Sequence, residues 1–333
     1  MQWRSYFTAA FFSAWERHGL TVSPGYARRY EEFLDGIEVI GLPVIPPRDA
    51  SGPLAAPTLH DVYRFGVFVG HATGRLLGLA PVEIDRRAGW CGRFNLGISL
   101  FDYLADEADQ CGALASWPPF DQFVPGARPP TVDVWEPPSA VARLLSEVAT
   151  GVLAEIEAEV GPSGEDELWL AMAEMMKAET LMSQQRTRAN PDVATLLEAS
   201  RTKSAGPFRS MAEWMSLGAA REIRSQAREL GVAIGDCYWL VDDARDLWDD
   251  MDAGRWNLFL LEAARREPEL FAHGLDGLAE IRLSRILMTE GWVEGITAPV
   301  VAALYGTINK MPGVAGCEDV VGLLAASVER WLK

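Results

Sequence analysis

The chain is short of positive charge. It carries 30 lysines and arginines against 47 aspartates and glutamates, a formal net charge of −17 over 333 residues. Such a surface repels phosphate backbones, which excludes nucleic acid or an anionic membrane as the main partner. Cysteine is scarce too: Cys91, Cys111, Cys237 and Cys317 are scattered, with no Cys-x-x-Cys. That spacing argues against a disulfide framework and points to a cytoplasmic protein with reduced thiols. No apolar run is long and uncharged enough to span a bilayer, so an integral membrane protein is not expected. The opening "MQWRSYFTAAFFSAWERHG" lacks a small-residue cleavage pattern and reads as an amphipathic helix rather than a leader. No segment alternates as a strand, and no repeat of fixed period is present.

What is there is helical periodicity. "LHDVYRFGVFVGHATGRLLGL", "WCGRFNLGISLFDYLADEAD", "PPSAVARLLSEVATGVLAEIEAEV" and "EDELWLAMAEMMKAETLMSQQRTR" repeat apolar residues at three- and four-residue spacing. From Ser204 to Asp250 the pattern hardly stops. Proline-rich stretches at Gly41–Pro57 and Ser116–Pro138 interrupt it, because proline brings no N–H to a helix. "GPSGED" and "RANPD" are turns that offer Ser163 and Asn190 as N-caps. The expectation is one all-α domain over residues 1–333. Ser116–Pro138 would be a long loop placed to act as a lid.

Aspartate gathers where an acidic chain has least reason to gather it. In "FDYLADEAD", Asp102 and Asp106 are four apart and share one helix face. In "YWLVDDARDLWDDMDAGRWNL", Asp242, Asp246 and Asp250 make a second stripe at the same spacing. Both clusters follow apolar helices, "NLGISLF" and "VAIGDCYWLV". Unaided, carboxylates so placed repel one another, and a helix C-terminus is the wrong end for an anion. A hard cation such as Mg²⁺ reverses that sign, since it binds carboxylate and phosphate oxygens together. One such cluster alone is more often a solvated helix face. Two with matching spacing argue for a metal platform, and EF-hand spacing is absent.

These residues carry a resemblance. "DDARD" (Asp242–Asp246) resembles the second aspartate-rich motif of the trans-isoprenyl diphosphate synthases, and "DYLAD" resembles their first, with Tyr103 replacing an aspartate. "LMSQQRTR" is similar to their Gly-Gln-x-x-Asp segment, with Gln184 or Gln185 in the glutamine place. "RTKSAGPFRSMAEWMSLGA" is similar to their Lys-Thr helix ending in Leu-Gly-Ala, with Lys203 as the lysine. "DDMDAGRWNLFLLEAAR" is similar to the late Asp and Gly-Lys, with Asp250 and Arg255 in those places. The resemblance implies a helical bundle of the class I isoprenoid synthase superfamily around a central apolar cavity. It implies Asp102, Asp106 and Asp242 as direct ligands of Mg²⁺, three ions in all, with Asp246 close by. It implies Lys203, Arg255 and Gln184 as binders of a prenyl diphosphate substrate, and a homodimer.

The departures bear on the reaction. Chain-elongating synthases follow the first box with Arg-Arg-Gly; here no Lys or Arg occurs between Asp106 and Arg128. Their Gly-Gly-Lys-x-x-Arg-Pro segment, which holds isopentenyl diphosphate, has no counterpart either. Arg86 and Arg87, upstream of the first acidic helix, are the available substitutes. Before the second box the family has Phe-Gln; here Tyr238 and Trp239 stand there, rings able to steady a carbocation by roughly 1–2 kcal/mol when desolvated. Plain core packing is the competing account of those rings. The expectation is therefore a terpene cyclase: ionisation of one allylic diphosphate, then cyclisation ended by deprotonation or water capture. A prenyl transferase with isopentenyl diphosphate or another acceptor is the alternative, and a non-catalytic partner of a prenyl synthase the second. Bulk before the first box shortens the pocket in the family. Here Gly97 and Ile98 are small or aliphatic, and Phe94, one turn deeper, is expected to form the floor. That favours a twenty-carbon chain, with fifteen as the lower option, and implies that Phe94→Ala admits longer substrates.

Overall fold

The computed structural model describes residues 2–19, 23–39, 54–106, 140–161, 173–175, 177–178, 181–182, 192–275, 278 and 280–333. The side chains at 2, 105, 106, 140, 149, 150, 153, 160 and 318 are outside that description. The Ser116–Pro138 loop, the Ser163 and Asn190 caps, and Gln184 and Gln185 also lie outside the described residues, as does the Asp106 side chain.

Eleven α-helices are described: α1 (Gln2–Glu16), α2 (Pro24–Asp35), α3 (Ala56–Leu76), α4 (Pro81–Asp106), α5 (Ala140–Val160), α6 (Val193–Met215), α7 (Arg221–Asp252), α8 (Leu258–Arg266), α9 (Glu280–Leu287), α10 (Trp292–Ile308) and α11 (Glu318–Leu332). No strand occurs among the described residues. The all-α expectation holds, with two corrections. The near-continuous pattern from Ser204 to Asp250 is two helices, because Gly218 takes φ +76 and turns the chain between α6 and α7. The first acidic helix begins at Pro81, so Arg86 and Arg87 are inside it.

Glycine sets how closely the central helices approach. On α3, Gly66 and Gly70 recur every four residues and face α4. A Cβ at Gly66 would lie 2.5 Å from the Cys91 carbonyl oxygen, and one at Gly70 would lie 2.9 Å from Ala88 Cα. On α7, Gly231 and Gly235 do the same against α6, where a Cβ at Gly235 would lie 2.5 Å from the Ala205 carbonyl oxygen. Backbone therefore packs on backbone, and α3, α4, α6 and α7 are drawn around one space. The apolar faces then fill the interior with Leu230, Ile234, Leu240, Val241, Ala244 and Leu247 of α7. Helix α1 buries Trp3, Phe7, Phe11 and Trp15. It is fixed to α7 by Trp3 Nε1, which donates to the Ala244 carbonyl at 2.9 Å. The last helix, α11, packs against α2, α3 and α7. Arg75 forks onto Asp319 at 3.0 and 2.8 Å and so ties α3 to the start of α11.

Candidate active site

Both acidic helices deliver their aspartates to the same cavity, of about 380 Å³. Asp102 comes from the last turn of α4, and Asp242, Asp246 and Asp250 descend one face of α7. Lys203 reaches in from α6, its Nζ 3.6 Å from Asp102 Oδ1. Pro207, one turn on, brings no N–H to the Lys203 carbonyl and also lines the cavity. Arg255 enters from the turn after α7. Gly254 closes that helix at φ +66, and the Arg255 N–H returns to the Asp250 carbonyl at 2.7 Å. The Arg255 guanidinium then meets the Asp250 carboxylate, Nε to Oδ1 at 3.0 Å.

The second Asp of "DDARD" has a different task. Asp243 is buried, and its Oδ2 accepts the Leu258 N–H at 2.6 Å, which anchors the start of α8. Asn257 completes that corner. Its Oδ1 caps Leu260 N at 3.1 Å, and its Nδ2 donates to Asp250 Oδ2 at 3.1 Å. Burial pushes the Asp243 carboxyl well above the usual range, against the Leu258 hydrogen bond.

Two residues outside the expected set hold the second box. Arg245 places Nη2 2.8 Å from Asp242 Oδ1 and forks onto both Asp246 oxygens at 2.7 Å. Trp331 of α11 donates Nε1–H to Asp242 Oδ1 at 3.1 Å, and the Arg245 guanidinium lies 5.4 Å from its ring centre. The Asp242 side chain keeps 39% of its surface exposed toward the cavity, yet burial still raises its carboxyl, with Arg245 opposing.

Aromatic rings form the apolar wall. Tyr238 stacks on Phe208 with centroids 5.0 Å apart, and its hydroxyl meets Ser327 Oγ. Phe65 is edge-on to Tyr238 at 5.1 Å and to Trp331 at 4.7 Å. Trp239 lines the cavity with its Nε1 donating to Ser200 Oγ at 2.9 Å.

Asp102, Lys203, Asp242, Asp246, Arg255, Ile98, Tyr238 and Trp239 thus line one cavity. Phe94 does not line it. It is buried against Trp214, edge-on at 4.5 Å. The reason is helix phase. At about 100° per residue, Phe94 is turned roughly 80° away from Asp102, whereas Asn95, Ile98 and Ser99 stay on its side. Phe94→Ala is accordingly expected to cost about 3–5 kcal/mol in urea unfolding while leaving substrate length unchanged. Arg86 and Arg87 are not at the cavity either. Both bind Glu159, at 2.8 and 3.1 Å, and Arg87 also donates to the Met215 carbonyl.

The donors suit a hard divalent ion: they are carboxylate oxygens that two helices bring to one cavity. Among the described residues no preformed group of three acidic, histidine or cysteine side chains is assembled. Asp250 carries a measurable signature of its crowding. Burial first, then Asp246 and Asp242, push its carboxyl up to about 6, with Asn257 and Arg255 opposing. A carboxyl raised in the fold contributes stability when protonated and loses it as pH rises through the folded value. In chelator, stability is expected to fall between the ordinary carboxylate range and about pH 6. The loss is on the order of 3 kcal/mol. Asp250→Asn should flatten that slope in urea melts across the same range.

No family model and no curated protein matches the chain. Solved structures do match in shape. A polyprenyl synthase from Caulobacter crescentus, complexed with calcium and isoprenyl diphosphate, superposes with TM-score 0.58 at 16% identity over 92% of this chain and 94% of that one. Geranylgeranyl pyrophosphate synthetase from the archaeon Geoglobus acetivorans gives 0.58 at 13% identity over 99% of both chains. A decaprenyl diphosphate synthase from Rhodobacter capsulatus gives 0.58 at 16% identity over 99% and 97%. No described helix is long and apolar enough to cross a membrane. The chain therefore has the all-α fold seen in these prenyl diphosphate synthase structures.

Proposed function

We propose that the chain ionises an allylic prenyl diphosphate in the aspartate-lined cavity, with Mg²⁺ as cofactor. The observation that carries the reading is that Asp102, Lys203, Asp242 and Arg255 all line one cavity. Asp102, Asp242 and Asp246 would hold the metal, and Asp106 and Gln184 belong to the same proposal from the resemblance. When bound, the metal would neutralise the leaving diphosphate. Lys203 and Arg255 donate to its oxygens and so favour charge separation at the allylic C–O bond. Phe65, Phe208, Tyr238 and Trp331 line the cavity and would exclude water from the organic end, with aromatic rings near the cation.

The fate of the allyl cation divides two readings. The structural neighbours are described as prenyl diphosphate synthases, which supports transfer of the allylic group to a second substrate over cyclisation. Cyclisation is the second reading. The stacked rings favour it, as does a cavity whose described cations, Lys203, Arg245 and Arg255, all sit against carboxylates and so form no separate anion site. The cations and carboxylates gathered at one cavity support catalysis over the non-catalytic role. The homodimer remains part of the proposal.

Product analysis by gas chromatography–mass spectrometry separates the readings. The protein is incubated with geranyl, farnesyl or geranylgeranyl diphosphate and Mg²⁺, with and without isopentenyl diphosphate. Longer diphosphates formed only with isopentenyl diphosphate establish transfer. A cyclic product from one allylic diphosphate alone establishes cyclisation.

A further inference from the structure

We infer that Arg245 is a resident counter-cation of the second aspartate box, so that this box takes a divalent ion only after the guanidinium has left it. The inference rests on the reading that these aspartates hold metal. Arg245 sits inside the box, three residues after Asp242 and next to Asp246, so one helical turn brings a single guanidinium to both carboxylates. It takes both oxygens of Asp246 at 2.7 Å and one oxygen of Asp242 at 2.8 Å. That same Asp242 oxygen also accepts Trp331 Nε1–H at 3.1 Å. Three of the four carboxylate oxygens that a metal would use are therefore already engaged.

Lys203 stands 3.6 Å from Asp102, a looser approach, and Arg255 pairs with Asp250, one turn beyond the box. Arg245 is also held from outside. Its guanidinium lies over the Trp331 ring, and its backbone carbonyl accepts two bonds from Arg4 at 3.2 and 2.9 Å. The backbone is fixed while the side chain keeps 32% of its surface exposed, so the guanidinium has somewhere to go when a metal displaces it. The structure thus couples metal loading to a side-chain exchange supported by the last helix.

The probe is Mn²⁺ alone, followed by electron paramagnetic resonance on the full-length protein without substrate. Arg245→Gln is expected to tighten Mn²⁺ binding by about tenfold, because a partly exposed charge-assisted fork no longer competes. Arg245→Lys keeps the charge but cannot bridge both carboxylates and should fall between the two. Trp331→Phe keeps the ring and removes the N–H, and should give a smaller gain. Thermal melts confirm that each variant is folded. Asp242→Asn is the control for the underlying reading. If it lowers Mn²⁺ binding while Arg245→Gln leaves affinity unchanged or weaker, the inference is overturned and the metal reading stands. If Asp242→Asn binds Mn²⁺ as the wild type does, both fall.

Discussion

Asp242→Asn is expected to lower diphosphate release from an allylic substrate by about a thousandfold, with the fold intact. Asparagine keeps the volume and the oxygen that accepts Trp331 Nε1–H, so the packing of α11 against α7 is retained. It removes the charge. The thermal midpoint should hold or rise in chelator, since burial opposes ionisation at this carboxyl. Loss of turnover with equal or better stability is a signature that a purely structural role would not give. Asp102→Asn should behave alike on turnover, because Asp102 faces Lys203 from the opposite helix. Initial rates at saturating Mg²⁺, beside thermal melts of the same preparations, check both.

The second large effect concerns packing. Gly235→Ala is expected to destabilise the protein by about 3 kcal/mol, because the added carbon meets backbone that cannot rotate away. Its nearest neighbours would be the Ala205 carbonyl oxygen at 2.5 Å and Ala205 Cα at 2.9 Å. Relief requires α6 to move, and α6 carries Lys203 into the cavity two residues before Ala205. Activity should therefore fall further than the folded fraction alone accounts for. Gly151→Ala is the contrast. That glycine lies within α5 with no described residue inside 4 Å of the added carbon, and alanine there should gain about 0.5–1 kcal/mol. Urea unfolding of the pair tests the sign as well as the size.

Much of this was legible in the sequence because helices translate spacing into position directly. Four-residue intervals put Asp242, Asp246 and Asp250 on one stripe, and apolar periodicity carried each box to the interior. Lys203 was singled out through its motif, and it stands 3.6 Å from Asp102. Local counting failed where phase or long range decided. Phe94 is one turn deeper than Ile98 by number, but its phase sends it to Trp214. Trp331 is 89 residues from Asp242, and the sequence leaves "VERWLK" open between a segment closing over the site and a plain amphipathic helix end. Phe65 and Phe208 read as ordinary core rings until α3 and α6 meet. Arg245 could have been found, since a cation three residues after one aspartate and beside another must lie near both. The glycines of "FGVFVGHATG" carried a four-residue period that marks close helix contact rather than weak helix propensity.

The most direct test is metal-dependent release of inorganic diphosphate from geranylgeranyl or farnesyl diphosphate supplied alone and with isopentenyl diphosphate. Release by the wild-type protein in Mg²⁺, abolished by chelator and by Asp102→Asn and Asp242→Asn, is the predicted result. Folded protein that releases none under either condition, or releases it equally after both substitutions, would contradict the assignment of this cavity to prenyl diphosphate chemistry.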